Sequence, residues 1–415
     1  MAESFPLADR PRLRPVEIFP VTDRGQRVLV LRDPADPSIQ PIVVTDGAGQ
    51  VLMLLDGQRS LGELSTALTL RGSSIGAPQL RAFVERLDEA GFLEGPRAEQ
   101  RYAERAGRFR DAPVRAAVHA GGAYPSGPSE LPLMLARGYC DANGPGDLPR
   151  GRQAGVGTPR ALIAPHVDLH RGAPTYSWGY RALAEAEPAE LYVVLGTCHT
   201  PVKGHFAATA KPYDTPLGAV PSEPEFLDRL ARAWGSDLFE GEFSHAGEHS
   251  IEFQALFLAW ALGTTGYQVV PVLVGSFHEM ILSGETPAYD ARVGGFLEAL
   301  RSELEIETRR TLIIAGVDFA HVGRKFGDSF SADEKVAEWV KQEDLALIEN
   351  IKRGDPDGFF ADVVKDRDAR KICGLSPMYT QLELLRDHPA RLLMHDIAME
   401  PQTESAVSFA SLAID

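Results

Sequence analysis

The sequence predicts an α/β fold, with a mostly parallel central sheet flanked by helices, preceded by a small α+β N-terminal domain. Two observations carry this prediction. From residue 160 to residue 351, short apolar runs alternate with longer segments of helical spacing, which is the rhythm of a parallel sheet with crossover helices. Before residue 96, strand-like runs come first and most of the helical segments follow. The chain has 415 residues and is 44% hydrophobic, which suffices for more than one core.

The first hundred residues are predicted to form the small α+β domain. Its strand-like runs are "VEIFPV", "RVLVL" and "PIVVT", and "SLGELSTALTL" and "PQLRAFVERLDEAGFLEG" have helical spacing. In the last segment Leu80, Val84 and Leu87 fall on one face, and Gly91 lies close to its predicted end. Residues 101–114 carry mixed charge and are predicted to form a solvated helix or linker.

Residues 115–415 are predicted to form one α/β domain. Its strands should be apolar throughout, because both faces of a parallel sheet are covered. The uncharged run from Phe253 to Phe277 is long enough for a membrane-spanning helix, but "GTTG" divides it. We therefore predict a buried helix, a turn and a buried strand. The predicted strands are "ALIAP", "ELYVVLG", "QVVPVLVG" and "TLIIAGV"; the predicted helices are "PEFLDRLARAW", "IEFQALFLAWAL", "VGGFLEALRSEL" and "ADEKVAEWVKQEDLALIENI".

The composition argues against several classes of partner. A net charge of −16 and a pI near 5.2 disfavour binding to nucleic acid or to an anionic membrane. There are three cysteines and no CxxC pair, which disfavours a disulfide scaffold and a structural zinc ribbon and suits a reducing compartment. The first residues contain no continuous apolar segment of the kind found in secretory signals, so we expect a cytoplasmic protein.

Metal-binding and titratable side chains follow several of the predicted strands. His166 and Asp168 come after "ALIAP", His199 comes after "ELYVVLG", and Asp318 and His321 come after "TLIIAGV". Ligands of parallel sheets usually bind beyond the carboxyl ends of the strands, so these side chains are expected to share one rim. A single histidine is more often structural than functional, but independent strand ends that agree favour a site.

Further segments are candidates for the same rim. "GEHSIEF" places His249 and Glu252 one helical turn apart, so that both are expected to point at a common ligand. Cys373 comes just before a predicted helix, whose N-terminal dipole favours a thiolate. Thiolate and neutral imidazole together form a ligand set for Fe(II), Cu or Zn. After His166 the chain reaches Arg171 and Gly172, where we predict a turn.

Several stretches, in this order, resemble the Memo family, whose bacterial members include AmmeMemoRadiSam system protein B. The resemblance covers about residues 115–415, and the family fold resembles that of the class III extradiol dioxygenases, which are non-haem iron enzymes. Two departures stand out: "VDLHRGAPTYSWGY" alters one pocket wall, and a cysteine takes the place of the dioxygenase carboxylate. The matching stretches are "LIAPH", "VVLGTCH", "GEHSIE", "VPVLVG", "AGVDFAHVG", "ICG" and "SAVSFASLAI".

The Memo resemblance implies a divalent metal, with Fe(II) favoured and Cu or Zn as alternatives. It implies metal ligands at His166, His199 and Cys373. Catalytic roles are expected for the residues beside the metal, namely Asp318, His321 and His249. His119 matches the opening segment of the family, where a place near the cleft and a packing role are equally expected. The bacterial family name implies radical-SAM and AMMECR-type proteins as pathway partners.

Three functions are compatible with these residues. The leading one is a metal-dependent redox enzyme acting on a small molecule or a modified peptide. The second is a non-catalytic module that binds a metal or a peptide. In the third, Cys373 is the nucleophile of a hydrolase. The N-terminal domain resembles PqqD-like and winged-helix recognition domains in "LLDGQRSLGEL" and "FVERLDEAGFLEG", and the other interpretation is a domain for packing or dimerisation.

We predict that residues 115–415 fold without the residues before them, because the alternation of strand and helix begins and ends inside that span. A polypeptide of these residues should give a circular dichroism spectrum with helix and strand signal and a cooperative thermal transition. An insoluble polypeptide, or one without a cooperative transition, would contradict this boundary.

Overall fold

The computed structural model describes residues 6–33, 39–153 and 157–415. The described chain divides into two compact units. Unit one contains the residues up to Ala112 together with Arg324–Ser329 and Pro401–Thr403. Unit two contains Pro113–Gly323, Phe330–Glu400 and Glu404–Asp415. Independent folding of residues 115–415 stays a prediction.

Unit one is a small α+β unit, as predicted. Its antiparallel sheet has the strand order β1-β2-β3, and its helices bury leucine and valine side chains such as Leu64 and Val84. Helix α2 begins with a capping box, in which Ser60 and Glu63 each bond the other's backbone N–H. The strands are β1 (Glu17–Asp23), β2 (Gln26–Arg32) and β3 (Ile42–Thr45); the helices are α1 (Gly49–Leu52), α2 (Leu61–Leu70), α3 (Ala77–Ala90) and α4 (Pro96–Asp111).

Unit two contains the predicted α/β sheet. Among the described residues it has eight strands: the central ones, in the order β4-β8-β5-β7, are parallel, whereas β10, β11, β9 and β6 join them antiparallel. The mostly parallel centre is therefore confirmed, and the antiparallel flanks are an addition to it. The strands are β4 (Ala161–Ala164), β5 (Leu191–Thr197), β6 (Phe206–Ala208), β7 (Gln268–Val274), β8 (Thr311–Gly316), β9 (His321–Gly323), β10 (Ala390–Glu400) and β11 (Ser405–Ile414).

Helices cover the sheet of unit two. Helices α6 and α8 pack on each other and on the sheet, and α13 packs against β5, β8, α10 and α12. No helix among the described residues is both long and apolar enough to cross a bilayer. The helices are α5 (Glu130–Cys140), α6 (Leu169–Glu185), α7 (Pro224–Trp234), α8 (Ser250–Leu262), α9 (His278–Ser283), α10 (Ala291–Ile306), α11 (Glu334–Lys352), α12 (Pro356–Asp366) and α13 (Leu375–Leu384).

The uncharged run from Phe253 to Phe277 has the predicted structure of helix, turn and strand. It comprises most of α8, a turn that begins at Gly263, and β7. The start of α8 lies directly against the ends of the central strands. A Cβ at Gly316 would stand 2.6 Å from the Ser250 carbonyl oxygen, so glycine is required for this approach.

The predicted turn at Arg171 and Gly172 is wrong, because both residues lie inside α6. Gly172 is a packing position: a Cβ there would stand 2.4 Å from Val167 Cγ1. Pro174 is accommodated within the same helix. A glycine two positions before a proline suggests a turn, but here the missing side chain of Gly172 brings α6 close to Val167, in the segment that leaves β4.

A buried ion pair fixes the first segment of unit two to α8. Arg115 and Glu252 have fully buried side chains and are bonded to each other. Arg115 also donates to the Glu248 carbonyl at 2.6 Å. The Glu252 carboxylate accepts from the Tyr124 hydroxyl and, at 3.0 Å, from the His119 backbone N–H. The buried carboxylate is thus paired with a cation and accepts further hydrogen bonds, as a buried charge requires.

Arg115→Ala should lower the free energy of unfolding by about 3–5 kcal/mol, because it leaves the Glu252 carboxylate buried without its cation. Arg391→Ala is the matched control: its pair with Asp415 is 57% and 44% exposed, and we expect a loss below about 1 kcal/mol. Guanidinium unfolding followed by circular dichroism measures both. Equal losses in the two variants would contradict a structural role for the buried pair.

Candidate metal centre

The neighbouring strands β4, β8 and β5 run parallel and end at the same edge of the sheet. His166 follows β4, Asp318 follows β8 and His199 follows β5. Cys373 reaches the same place from the loop between α12 and α13. The structure therefore brings together side chains that are up to 207 positions apart in the chain.

His166 is held in one orientation by the end of β8. Its side chain is 2% exposed, and its Nδ1 lies 3.1 Å from the Gly316 carbonyl oxygen, which can only accept a hydrogen bond. Its backbone N–H donates to Asp318 Oδ1 at 2.9 Å. Nδ1 therefore carries a proton, and Nε2 is the atom that faces Cys373.

Glu248 orients His199 in the same way. Its carboxylate accepts from the His199 backbone N–H at 2.9 Å and from His199 Nδ1 at 3.0 Å. It also accepts from the backbone N–H groups of His249 and Ser250, at 2.8 and 3.0 Å. Burial favours the protonated carboxyl, but the His199 ring and these bonds hold the pKa of Glu248 well below its usual value. His199 Nδ1 is thereby engaged, which leaves Nε2 for other partners.

Cys373 lies against His166. Its Sγ is 3.2 Å from His166 Nε2. Burial opposes the thiolate, but the imidazoles of His166 and His321 outweigh burial and lower the pKa of Cys373 to about 5. Burial likewise opposes the charged form of His166, yet the Cys373 thiolate and the Asp318 carboxylate raise the pKa of His166 to about 9. At neutral pH the metal-free pair is therefore thiolate and imidazolium.

Gly374 makes the position of Cys373 sterically possible. A Cβ at Gly374 would stand 2.5 Å from Val317 Cβ and 2.6 Å from the Asp318 carbonyl oxygen. The Gly374 N–H donates to that same carbonyl at 3.1 Å. The loop before α13 therefore packs closely against the end of β8. This packing places Cys373, the residue before Gly374, next to His166.

The donor atoms of His166, His199 and Cys373 all lie within 4.8 Å of one another. Donors that share one ion at about 2.0–2.3 Å stand about 3.3–3.8 Å apart in tetrahedral geometry, so this cluster fits a divalent ion after small adjustments. A second group, His199, Glu248 and His249, is equally close. Its His199 Nδ1 and Glu248 oxygens are already bonded to each other, so the first group is the better candidate.

Of the residues predicted to act beside a metal, Asp318 and His249 lie next to this cluster, and the His321 imidazole acts electrostatically on Cys373. Asp318 is buried, and both of its carboxylate oxygens lie near His166. Its Oδ1 accepts from the His166 backbone N–H, and its Oδ2 lies 3.6 Å from His166 Nε2. The His249 ring stacks on His199, with ring centroids 4.9 Å apart. Burial, helped by the nearby rings, outweighs Glu248 and holds the pKa of His249 well below its usual value, so this ring is neutral. His321 Nδ1 lies 3.1 Å from the Phe319 carbonyl oxygen.

Two other side chains, Glu252 and Asp168, depart from the predictions. Glu252 does not share a ligand with His249, because Arg115 and Tyr124 take its carboxylate. Asp168 pairs with Arg171, and no described contact links it to Cys373. His119 lies near the centre, with its ring centroid 5.6 Å from that of His249 and its Nε2 2.9 Å from the Gly247 carbonyl oxygen.

Glu248 is a residue of the candidate site that the sequence did not lead us to predict. The signal was present in "GEHSIEF", where an acidic residue stands directly before a histidine at a helix start. An acceptor at that position can receive the first free N–H groups of α8, and here it does. The same carboxylate therefore begins a helix and orients His199.

A cavity of about 280 Å³ opens beside the centre, with His199 and Cys373 in its wall. Apolar side chains form part of the lining, including Phe277, Ile281 and Leu375. Ser276, Ser376 and Lys371 add polar groups. The arrangement places a small compartment with both polar and apolar lining directly next to the cluster, where a ligand could bind.

Comparison with known families accords with this geometry. Residues 115–413 match a family model described as Memo-like protein. This chain belongs to the Memo family. The Memo match begins at Arg115, the residue of the buried ion pair, and ends within β11.

Relatives of this Memo family chain occur in distant organisms. A MEMO1 family protein of Aquifex aeolicus is 27% identical over 407 residues, which cover 97% of this chain and 99% of the relative. A MEMO1 family protein of Thermus thermophilus is 28% identical over 359 residues, or 86% and 99% of the two chains. A memo-1 homolog of Caenorhabditis elegans is 26% identical over 319 residues, or 72% and 81%. The Aquifex alignment therefore extends into unit one.

In metal-free protein, alkylation of Cys373 should persist on acidification and fall only near pH 5, because the depressed pKa keeps the thiolate above that pH. The assay is iodoacetamide labelling read by mass spectrometry after chelation, in a Cys140→Ser background. His166→Ala should move the fall to higher pH. Burial raises the pKa of Cys198 to about 11, so it is the unlabelled internal control. A Cys373 midpoint near the ordinary thiol value of about 8.5 would contradict the ion pair.

Proposed function

We propose that this Memo family protein holds Fe(II) through His166, His199 and Cys373 and uses it in a redox reaction on a small molecule or a modified peptide. The supporting observation is the convergence of a thiolate with two imidazoles, each of which is fixed by a hydrogen bond at Nδ1. Cu and Zn share this ligand preference and are the alternatives.

The ion would supply a Lewis acid and a redox centre for the substrate. The protein supplies the arrangement around it. Gly316 and Glu248 fix the tautomers of His166 and His199, so that both Nε2 atoms are available without a rearrangement. Because His166 is protonated in the metal-free pair, binding of an ion at this site displaces a proton.

The catalytic roles proposed for the remaining residues follow from their protonation and position. His249 is neutral and stacked on His199, which suits a base that takes a proton from a substrate beside the ion. Asp318 fixes the backbone of His166 and acts on the reaction through that residue. His321 stabilises the Cys373 thiolate electrostatically and is the candidate acid.

One observation favours a second function, that of a cysteine hydrolase. The metal-free Cys373 and His166 form a thiolate and imidazolium pair at 3.2 Å, as a cysteine nucleophile and its base do. This function needs no ion, so activity that survives chelation and is lost in Cys373→Ala would identify it.

We place the protein in the cytoplasm, with radical-SAM and AMMECR-type proteins as pathway partners. The cysteines Cys140, Cys198 and Cys373 are all free, which suits a reducing compartment. The partner proposal rests on the bacterial Memo family alone. A Memo module that binds a metal or a peptide without turnover is the competing function, and oxygen or substrate consumption by the loaded protein separates the two.

Protein purified without oxygen should contain close to one equivalent of metal by elemental analysis, and the His166→Ala, Cys373→Ala double variant should lose most of it. Asp318→Asn and Glu248→Gln should weaken binding by about 10–100-fold, because they disturb groups that position the ligands. Glu240→Gln is the matched control, since Glu240 is 47% exposed and paired with Lys203.

Full metal occupancy in the double variant would end the proposal of this metal centre. Loss of metal in Glu240→Gln equal to that in Glu248→Gln would contradict the positioning role of Glu248. Circular dichroism of each variant shows whether the fold is retained.

A further inference from the structure

The cavity beside the candidate centre has donors that no described residue uses. The Ser376 hydroxyl oxygen accepts from the Phe277 N–H at 3.0 Å, but no described group accepts from its O–H. Ser376 is 4% exposed and lies in the cavity wall. The Ser376 hydroxyl is therefore already bonded as an acceptor, and its O–H can still donate to a ligand in the cavity.

Ser376 also stands in the first turn of α13. At this position the backbone N–H has no intrahelical acceptor, and none of the described residues bonds it. The next residue, Pro377, has no N–H. The two donors that this turn can offer to a ligand are therefore the backbone N–H and the O–H of Ser376. The positive end of the α13 dipole adds to the preference for a negative ligand atom.

A second hydroxyl and a cation extend this preference. Ser276 lines the cavity, accepts from the His278 N–H at 3.1 Å, and donates to no described residue. Lys371 lies in the same wall. Asp368 and His278 also line the cavity, and His278 acts electrostatically on the Asp368 carboxyl group. The Asp368 carboxylate repels a doubly charged anion more strongly than a singly charged one, so a singly charged ligand fits better.

One part of the cavity lining is apolar. Val274, Phe277 and Ile281 bound the space with Leu375, all buried. A cavity of about 150 Å³ accommodates a benzene ring, and this one measures about 280 Å³. The space therefore suits one ring or a short chain with a small polar group attached.

We propose that the cavity binds a small monocarboxylate with an apolar body, whose carboxylate is held by Ser376 and Ser276 and whose other end faces His199 and Cys373. As a substrate class it rests on the proposed metal function, because the centre is the reacting end of the cavity. Binding of the carboxylate itself requires only the cavity.

The probe is 4-fluorobenzoate, titrated into the full chain freed of metal and followed by ¹⁹F NMR. We expect saturable binding in the millimolar range or tighter, and binding of the neutral isostere 4-fluorobenzamide at least about tenfold weaker, since hydrogen bonds to charged groups exceed those to neutral ones. Ser376→Ala should weaken 4-fluorobenzoate binding by about tenfold or more, and Ser276→Ala should weaken it in the same direction.

Two further variants complete the test, and circular dichroism shows whether each of them retains the fold. Ile281→Trp fills the cavity and should abolish binding. Ser283→Ala is the matched control, because Ser283 is exposed on α9 and outside the cavity wall, and its affinity should be unchanged. Equal affinity for benzoate and benzamide, equal effects of Ser376→Ala and Ser283→Ala, or no saturation by about 10 mM would each overturn the proposal.

A further experiment with metal-loaded protein tests whether the cavity ligand lies beside the candidate metal centre. Co(II)-loaded protein should broaden the fluorine signal of bound 4-fluorobenzoate relative to the Zn(II)-loaded form, because the fluorine is opposite the carboxylate. Binding without this broadening in protein shown to hold Co(II) would overturn the placement of the ligand beside the centre. Protein that binds the probe but retains no metal would refute the metal function and leave the carboxylate site standing.

Discussion

Buried carboxylates that accept backbone N–H groups are the constraint on which this centre depends. Strand ends leave N–H groups without ladder partners, and Asp318 takes those of His166 and Val167. Glu248 does the same for His199 and for the first residues of α8. Each acid thus satisfies the backbone and fixes a histidine with one group. The imidazoles are placed by the same bonds that terminate the secondary structure.

Close packing provides the second requirement. Helix α8 and the loop before α13 approach the end of β8, and glycine at 316 and 374 leaves room for both. A side chain at either place would displace a backbone rather than a flexible group, so the adjustment would move the residues that carry the donors. The cluster depends on these small residues as much as on the histidines and the cysteine.

The fold and much of the cluster were predictable because their signals are local. Apolar runs ending in His166, His199 and Asp318 identify strand ends whatever their order in the sheet. The partner of Glu252 was not predictable, because Arg115 lies 137 positions away and nothing in the helical spacing reveals it. The antiparallel strands at the edges of the sheet were not predicted for a similar reason. Strand direction depends on tertiary pairing, and an apolar run gives no indication of whether its strand pairs parallel or antiparallel.

Strand β11 lies inside the sheet, between β10 and β4, although it comes after Cys373 in the chain. During synthesis, β4 emerges from the ribosome long before the strand that completes its pairing. The segment with Cys373 also emerges more than 200 positions after His166. A nascent chain therefore presents both donors only after this late segment has emerged. A metal bound by both residues would be acquired at that stage or later, and not while the first strands of the sheet are forming.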